Sequence, residues 1–232
     1  MTFTGLFRAW ATVLVAMLAA ILLTTAAFAT GAGAQEQPPC SGKVVLDPGH
    51  GGTDSGAVNT KYRLTEKEQT LDVANKLKAL LEEDGCTVYM TRTDDRYLTN
   101  TQRANKANSF KAKNPGDYVL VSIHMNGSTS PSTDYTTTLF GKWRKDKELA
   151  NTVFGSLSTL PAANGTGTIA TRKPYSFASG VLLKSDMPAT IAETVFITSD
   201  REGQLLSNDT GARQQQIAQA FRVGIEDYLT TH

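Results

Sequence analysis

The chain has 232 residues, with 23 Lys and Arg against 22 Asp and Glu, 40% hydrophobic residues and three histidines. That length suits one domain, or one domain with a processing segment. The near-neutral charge lacks the basic stripe of a nucleic-acid binder, so no nucleic-acid partner is expected.

At the N-terminus Arg8 precedes an apolar run from Val13 to Leu23, too short for a confident membrane span. Small-residue sites follow at Ala27-Phe28-Ala29 and Ala32-Gly33-Ala34. The pattern predicts a secretory signal peptide over residues 1–34, with residues 35–42 as a short exposed mature N-terminus. The alternative is an uncleaved anchor that tethers the protein to a membrane. Either way the expected location is extracytoplasmic: secreted, in the cell wall, or in the periplasm or intermembrane space. Removing Arg8 with the leader leaves 22 basic and 22 acidic residues, a neutral mature part large enough for its own core.

Residues 43–232 alternate β-rich runs with helical patterns. This predicts a single α/β domain, a mostly parallel twisted sheet with helices on both faces. The first strand is Val44–Asp47. A helix from about Glu66 carries Leu71, Ala74, Leu77 and Leu81 at helical spacing and stops at Gly85. A strand over Thr87–Thr91, a polar helix over Thr99–Lys111 and a strand over Tyr118–Ile123 come next. After a Ser/Thr-rich loop, Gly127–Thr133, the pattern predicts a strand Tyr135–Phe140, a helix Lys145–Leu157 and a Gly-rich loop Ala162–Gly167. Short strands are expected at Gly180–Leu183 and Thr190–Val195, and a closing helix at Gly211–Leu229. Open α/β sheets bind ligands at the C-terminal ends of their strands, so the chemistry is expected there.

The two cysteines precede predicted strands, Cys40 before Lys43–Asp47 and Cys86 at the start of Thr87–Thr91. Export permits a disulfide, and parallel neighbouring strands would bring both sulfurs to one end of the sheet. We therefore expect a Cys40–Cys86 bridge; the alternative is a buried free thiol at Cys86 and an idle Cys40.

Two internal histidines leave predicted strands at their C-terminal ends. His50 lies in Asp47-Pro48-Gly49-His50-Gly51-Gly52, and His124 lies in Ser122-Ile123-His124-Met125-Asn126. A catalytic zinc site takes three protein ligands, often two histidines and a carboxylate, and leaves a position for water. Glu66 and Glu68, at the mouth of the first long helix, could supply the carboxylate, although a helix N-terminus attracts acidic residues without any metal.

The run Val44–Gly52, then Leu64-Thr65-Glu66-Lys67, then Ser122–Asn126, then Ala192-Glu193-Thr194-Val195-Phe196 resembles the zinc N-acetylmuramoyl-L-alanine amidases of the type 3 amidase family. Thr91-Arg92-Thr93-Asp94, Arg103 and Ala107-Asn108 fit the same pattern, and the similarity spans about residues 43–229. The resemblance implies a zinc ion on His50, Glu66 and His124, with Glu66 preferred over Glu68 because it directly precedes Lys67. It implies Glu193 as the catalytic glutamate. The sequence departs at Val195, where a glycine is usual, and at Asp200, where an asparagine is usual.

The implied activity is hydrolysis of the amide between the lactyl group of N-acetylmuramic acid and L-alanine of the peptidoglycan stem, by zinc-activated water with Glu193 as general base and acid. Asn126, Arg172 and Lys173 are candidate substrate-binding groups, the two basic residues because guanidinium and ammonium grip stem carboxylates; the alternative for them is solvated surface. Arg92 and Arg103 are expected to tie helix and loop together, and Asp47 to orient a ligand histidine or cap its loop. A monomer is expected, without a helical plug over the site. The competing readings are a zinc exopeptidase on ordinary peptides, a spore-cortex amidase, and a non-catalytic wall-binding domain.

Overall fold

A computed structural model describes Cys40, residues 42–141 and residues 143–232. The expected leader, residues 1–34, lies outside the described residues, as do residues 35–39 and Ser41 of the expected N-terminal stretch. Among the described residues no helix is long and apolar enough to cross a membrane.

The chain runs from β1 (Lys43–Pro48) through a small antiparallel hairpin, β2 (Val58–Asn59) and β3 (Leu64–Thr65), into α1 (Glu66–Glu83) and β4 (Thr87–Met90). It continues with α2 (Asn100–Lys113), β5 (Tyr118–Asn126), β6 (Thr137–Phe140), α3 (Arg144–Leu157), β7 (Tyr175–Ser176), α4 (Gly180–Lys184) and β8 (Ala189–Phe196), and ends with α5 (Asp200–Leu206) and α6 (Ala212–Thr231). Six strands form one sheet in the order β4-β1-β5-β8-β6-β7. β1 pairs parallel with β4 and β5, and β5 with β8. β6 runs antiparallel to β8 and carries β7 parallel to itself. The sheet is thus mostly parallel, as expected.

Side chains alternate between the faces of a strand, and both faces are covered. Val44, Leu46, Val119 and Val121 pack with Leu77 of α1, Val153 of α3 and Phe221 of α6. Val45, Leu120, Leu139 and Ile191 pack on the other side with Ala107 of α2 and Val181 and Leu182 of α4. Burying both faces explains why these strands read as near-continuous apolar runs.

Local signals set most ends. Thr99 caps α2 in a capping box with Gln102, satisfying backbone N–H groups the helix leaves unpaired. Gly85 takes φ 90° after α1, the left-handed turn that reverses a chain at little cost only for glycine. Gly42, Cys40 and the turn are stitched together by Cys40 N–H to Asp84 O at 2.8 Å and Thr87 N–H to Gly42 O at 3.2 Å. Lys43 is in register with Thr87, and Cys40 and Cys86 are disulfide-bonded with Cα atoms 4.8 Å apart.

Four features differ from the sequence expectations. Gly180–Leu183 is not a strand but the start of α4: the Ser179 hydroxyl accepts from Val181 N–H, and a helical turn buries Val181 and Leu182 while exposing Leu183. The strand expected from Tyr135 starts at Thr137, because Tyr135 packs its ring against Phe196 at 4.6 Å between centroids. β2, β3 and β7, two residues each, are too short to carry a periodic signal. α5 was also unanticipated; Ser199 caps it, Asp200 and Glu202 fill its first turn, and the buried Arg213 guanidinium donates to Glu202, fastening it to α6.

Candidate metal centre and active site

β1 and β5 lie side by side, with Pro48 in register with Ile123, so the segments leaving their C-terminal ends carry His50 and His124 to the same place. The rings meet edge to face, 4.9 Å between centroids. The β2–β3 hairpin delivers the first residue of α1, Glu66, between them: Oε1 lies 3.0 Å from His50 Nε2 and 3.1 Å from His124 Nδ1. Ligand atoms of the three residues all fall within 4.8 Å of one another, the one such His/Cys/Asp/Glu group among the described residues. Glu68, the alternative carboxylate, instead accepts from the Thr65 hydroxyl at the surface.

Glu66 is buried and its carboxylate is prearranged by two backbone donors, Met125 N–H to Oε1 and Ala57 N–H to Oε2, each at 2.9 Å. Burial pushes its pKa up, but hydrogen bonds and charge from His124 and His50 outweigh that and hold the carboxyl well below its usual range. Burial likewise disfavours the imidazolium forms, yet Glu66, joined by Asp54 for His50, raises both histidines above 6.5. The three side chains thus converge on one point where negative charge is shared by two rings. That donor set, two imidazole nitrogens and one ionised carboxylate oxygen, fits a zinc site.

Two glycines make the convergence sterically feasible. A Cβ at Gly49 would sit 2.4 Å from His124 Cε1, and one at Gly56 would sit 2.5 Å from Glu66 Oε2. Any larger residue would displace His124 or Glu66. His50 itself adopts φ 59°, a left-handed conformation that costs energy outside glycine and must be held by its surroundings. The restraint is visible. Arg103 donates to Pro48 O at 2.7 Å and His50 O at 2.6 Å, and Arg92 donates to Pro48 O at 2.9 Å and Gly49 O at 2.7 Å. The two arginines do tie helix and loop together, and the loop they tie is the one that presents His50.

Asp47 neither orients a histidine nor caps its loop. It is fully buried and accepts from the Thr91 and Ser122 hydroxyls and from Arg103. The orienting carboxylate is Asp54, whose Oδ2 lies 2.9 Å from His50 Nδ1. Such a contact fixes the Nδ1–H tautomer and turns the Nε2 lone pair toward the centre. Sequence reasoning missed Asp54; its only signal was an acidic residue four positions after a glycine-flanked histidine.

Glu193 lies on β8 in register with His124, one strand over and on the same face. Burial pushes its pKa up, while His124 pulls it down and Glu66 raises it again; no hydrogen bond contributes. A half-buried carboxylate beside the centre, with no hydrogen bond from the described residues, can take up and release a proton. Val195 is buried and Asp200 pairs with Lys61 at 2.9 Å, so neither departure from the family pattern enters the His50–Glu66–His124 group.

Asn126 ends β5 after a register shift beyond His124. Arg172 and Lys173 are exposed on the segment leading into β7, with the Arg172 guanidinium 5.1 Å from the centre of the Tyr175 ring. A cleft of about 220 Å³ opens beside the centre, lined by His50, Asp54, Tyr97, Asn100, Arg103 and His124. A larger hollow, about 560 Å³ between residues 131–134, 162–170 and 199–201, lies away from these ligands.

A family model described as N-acetylmuramoyl-L-alanine amidase, Amidase_3, matches residues 44–227. The chain is 31% identical over 198 residues to the probable cell wall amidase LytH of Staphylococcus aureus, an overlap of 84% of this chain and 62% of that protein. It therefore spans less than two thirds of the length of that curated relative. Among solved structures it is similar to the N-acetylmuramoyl-L-alanine amidase of Clostridium difficile 630, with 32% identity, a TM-score of 0.72 and coverage of 83% of this chain and 98% of that one. It is also similar to the catalytic domain of CwlV, an amidase from Bacillus (Paenibacillus) polymyxa var. colistinus, with 30% identity, a TM-score of 0.68 and coverage of 82% and 99%. With the fold, the four motifs and the family model in agreement, the chain belongs to the N-acetylmuramoyl-L-alanine amidase family, Amidase_3.

Proposed function

We propose that this protein is a zinc-dependent peptidoglycan amidase that cleaves between the lactyl group of N-acetylmuramic acid and L-alanine of the stem peptide. The observation that carries the reading is the meeting of His50, Glu66 and His124 within 4.8 Å, with Glu193 in register beside His124. His50, Glu66 and His124 would hold the ion. When bound, zinc lowers the pKa of a coordinated water to about 7 and polarises the amide carbonyl. Glu193 takes the proton from the attacking water and returns it to the leaving alanine nitrogen. Asp54 keeps His50 in its ligating tautomer, and Arg92 and Arg103 hold the loop that presents it. Asn126, Arg172 and Lys173 face the substrate. Residues 1–34 act as the export signal, residues 43–232 form the catalytic domain, and the protein works as a monomer outside the cytoplasm.

The test is elemental analysis of the purified protein together with product analysis on muropeptides. One zinc per chain and release of intact stem peptide from the lactyl group are expected. His124→Ala and Glu66→Ala should lose the zinc. Glu193→Gln should keep it and lose roughly 10²- to 10⁴-fold in turnover. Full zinc occupancy in either ligand variant, or near-normal turnover in Glu193→Gln, would overturn the assignment.

A further inference from the structure

The sheet orders the site across its strands. His124 of β5 is in register with Glu193 of β8, and Glu193 with Thr137 of β6. Thr137 then donates to the backbone oxygen of Lys173 at 3.5 Å, and Arg172 N–H donates to Thr136 O at 3.0 Å. From the ligand group the row therefore runs through Glu193 and Thr137 to the segment that carries Arg172. β1, which carries the His50 loop, flanks β5 on the side away from β8, and Tyr97, 51% exposed, lies against Gly52 of that loop and lines a cleft with His50 and Asp54.

Resting on the amidase reading, this order fixes the substrate's polarity. A group that returns a proton to the leaving nitrogen must sit against that nitrogen, so the stem peptide, which begins there, continues past Glu193 over β6. The acyl side, with its sugar, stays on the His50 and Tyr97 side. Two inter-strand steps beyond Glu193, about 10 Å away, the peptide meets Arg172. Two to three extended residues cover about the same distance.

Arg172 is built to meet an anion there. Its guanidinium is exposed, lies over the Tyr175 ring at 5.1 Å and stands beside the Tyr135 phenol. Among the described residues no carboxylate acts on it. Burial, and then the opposed charges of Arg172 and Glu193, set the Tyr175 phenol, so both charges are felt at that ring. Stacking on an aromatic face orients the planar fork, and the donors not turned to the Tyr135 phenol are left for an anion.

We propose that Arg172, held on Tyr175 and Tyr135, binds a carboxylate of the stem peptide two or three residues beyond the scissile amide, with the glycan on the Tyr97 side. The carboxylate belongs either to the main chain of the second residue or to the side chain of the third, and the assay separates the two. The zinc-loaded wild type, Arg172→Gln and Arg172→Lys are each given three muropeptides. One has a free carboxylate at both positions, one is amidated at the second residue only, and one has a lysine in place of the acidic third residue. Arg172→Gln is expected to lose about 10- to 100-fold in kcat/KM on the first, the worth of a charge-assisted hydrogen bond. On the stem lacking the partner carboxylate it should lose less than about 3-fold, and Arg172→Lys should fall between. Equal losses on all three stems, or none, would overturn the proposal. So would a stem-charge-dependent loss in Tyr97→Ala in place of Arg172→Gln, because the polarity would then be reversed. A wild type that releases peptide from none of the stems would instead overturn the amidase reading itself.

Discussion

Reducing the Cys40–Cys86 disulfide tests the topology and the independence of the proposed metal centre together. The bridge spans 46 residues of sequence, and the chain-entropy model makes a crosslink of that length worth about 4 kcal/mol. For a domain of this size each kcal/mol moves the thermal midpoint by about 2–4 °C, so reduction should lower it by about 8–16 °C. The fold should survive, because the backbone bonds from Cys40 to Asp84 and from Thr87 to Gly42 and the β1–β4 ladder do not depend on sulfur. Zinc should stay bound as well. The bridge sits at the N-terminal end of β1 and the ligands at its C-terminal end, and six residues of strand put about 20 Å between them. Thermal unfolding followed by circular dichroism, with and without a phosphine reductant and with zinc measured on both samples, reads all three quantities. Cys40→Ala gives the same comparison without reductant; Cys40 is only partly buried, so the change leaves no void in the core. Two titratable thiols in the denatured, unreduced protein would refute the bridge. A midpoint shift below about 2 °C would refute the entropic argument, and loss of zinc on reduction would show that the two ends of the sheet are coupled.

Asp54→Asn should leave the fold intact but weaken zinc binding about 10- to 100-fold, since partners that orient a ligating histidine have that effect on metal affinity; competition with a chromophoric chelator measures it. Arg103→Met removes the charge opposite the buried Asp47 and both carbonyl clamps on the His50 loop, and should cost about 3–5 kcal/mol in denaturant unfolding.

The elements that were legible in the sequence are those whose patterns arise from burial. β1, β5 and β8 read as apolar runs because both faces of the sheet are covered, and α1 and α6 read as helices because each buries one stripe. The antiparallel placement of β6 left no trace, since a four-residue strand shows the same alternation in either direction. The apolar run Val181-Leu182-Leu183 reads as a strand because it has no period of its own, yet it forms α4. What decided between helix and strand was the Ser179 hydroxyl on Val181 N–H.

The His50–Glu66–His124 group was legible for a different reason. Metal chemistry restricts residue type so severely that two glycine-flanked or strand-end histidines and a helix-initial glutamate stand out before any geometry is known. The residues that hold those three side chains in place are much less restricted. An aspartate four residues after His50 could as easily cap a turn. Arg92 and Arg103 reach the His50 loop across 43 and 55 positions of sequence, through carbonyl acceptors that any residue supplies. Asp47, immediately after the first apolar run, looked like the natural partner for a histidine three residues later, yet the strand carries it to the buried side where Thr91, Ser122 and Arg103 wait. Position along a strand decides which face a side chain serves, and that decision is made by the neighbouring strands. A candidate metal group of this kind therefore announces its own side chains in the sequence and hides the residues that position them in the packing.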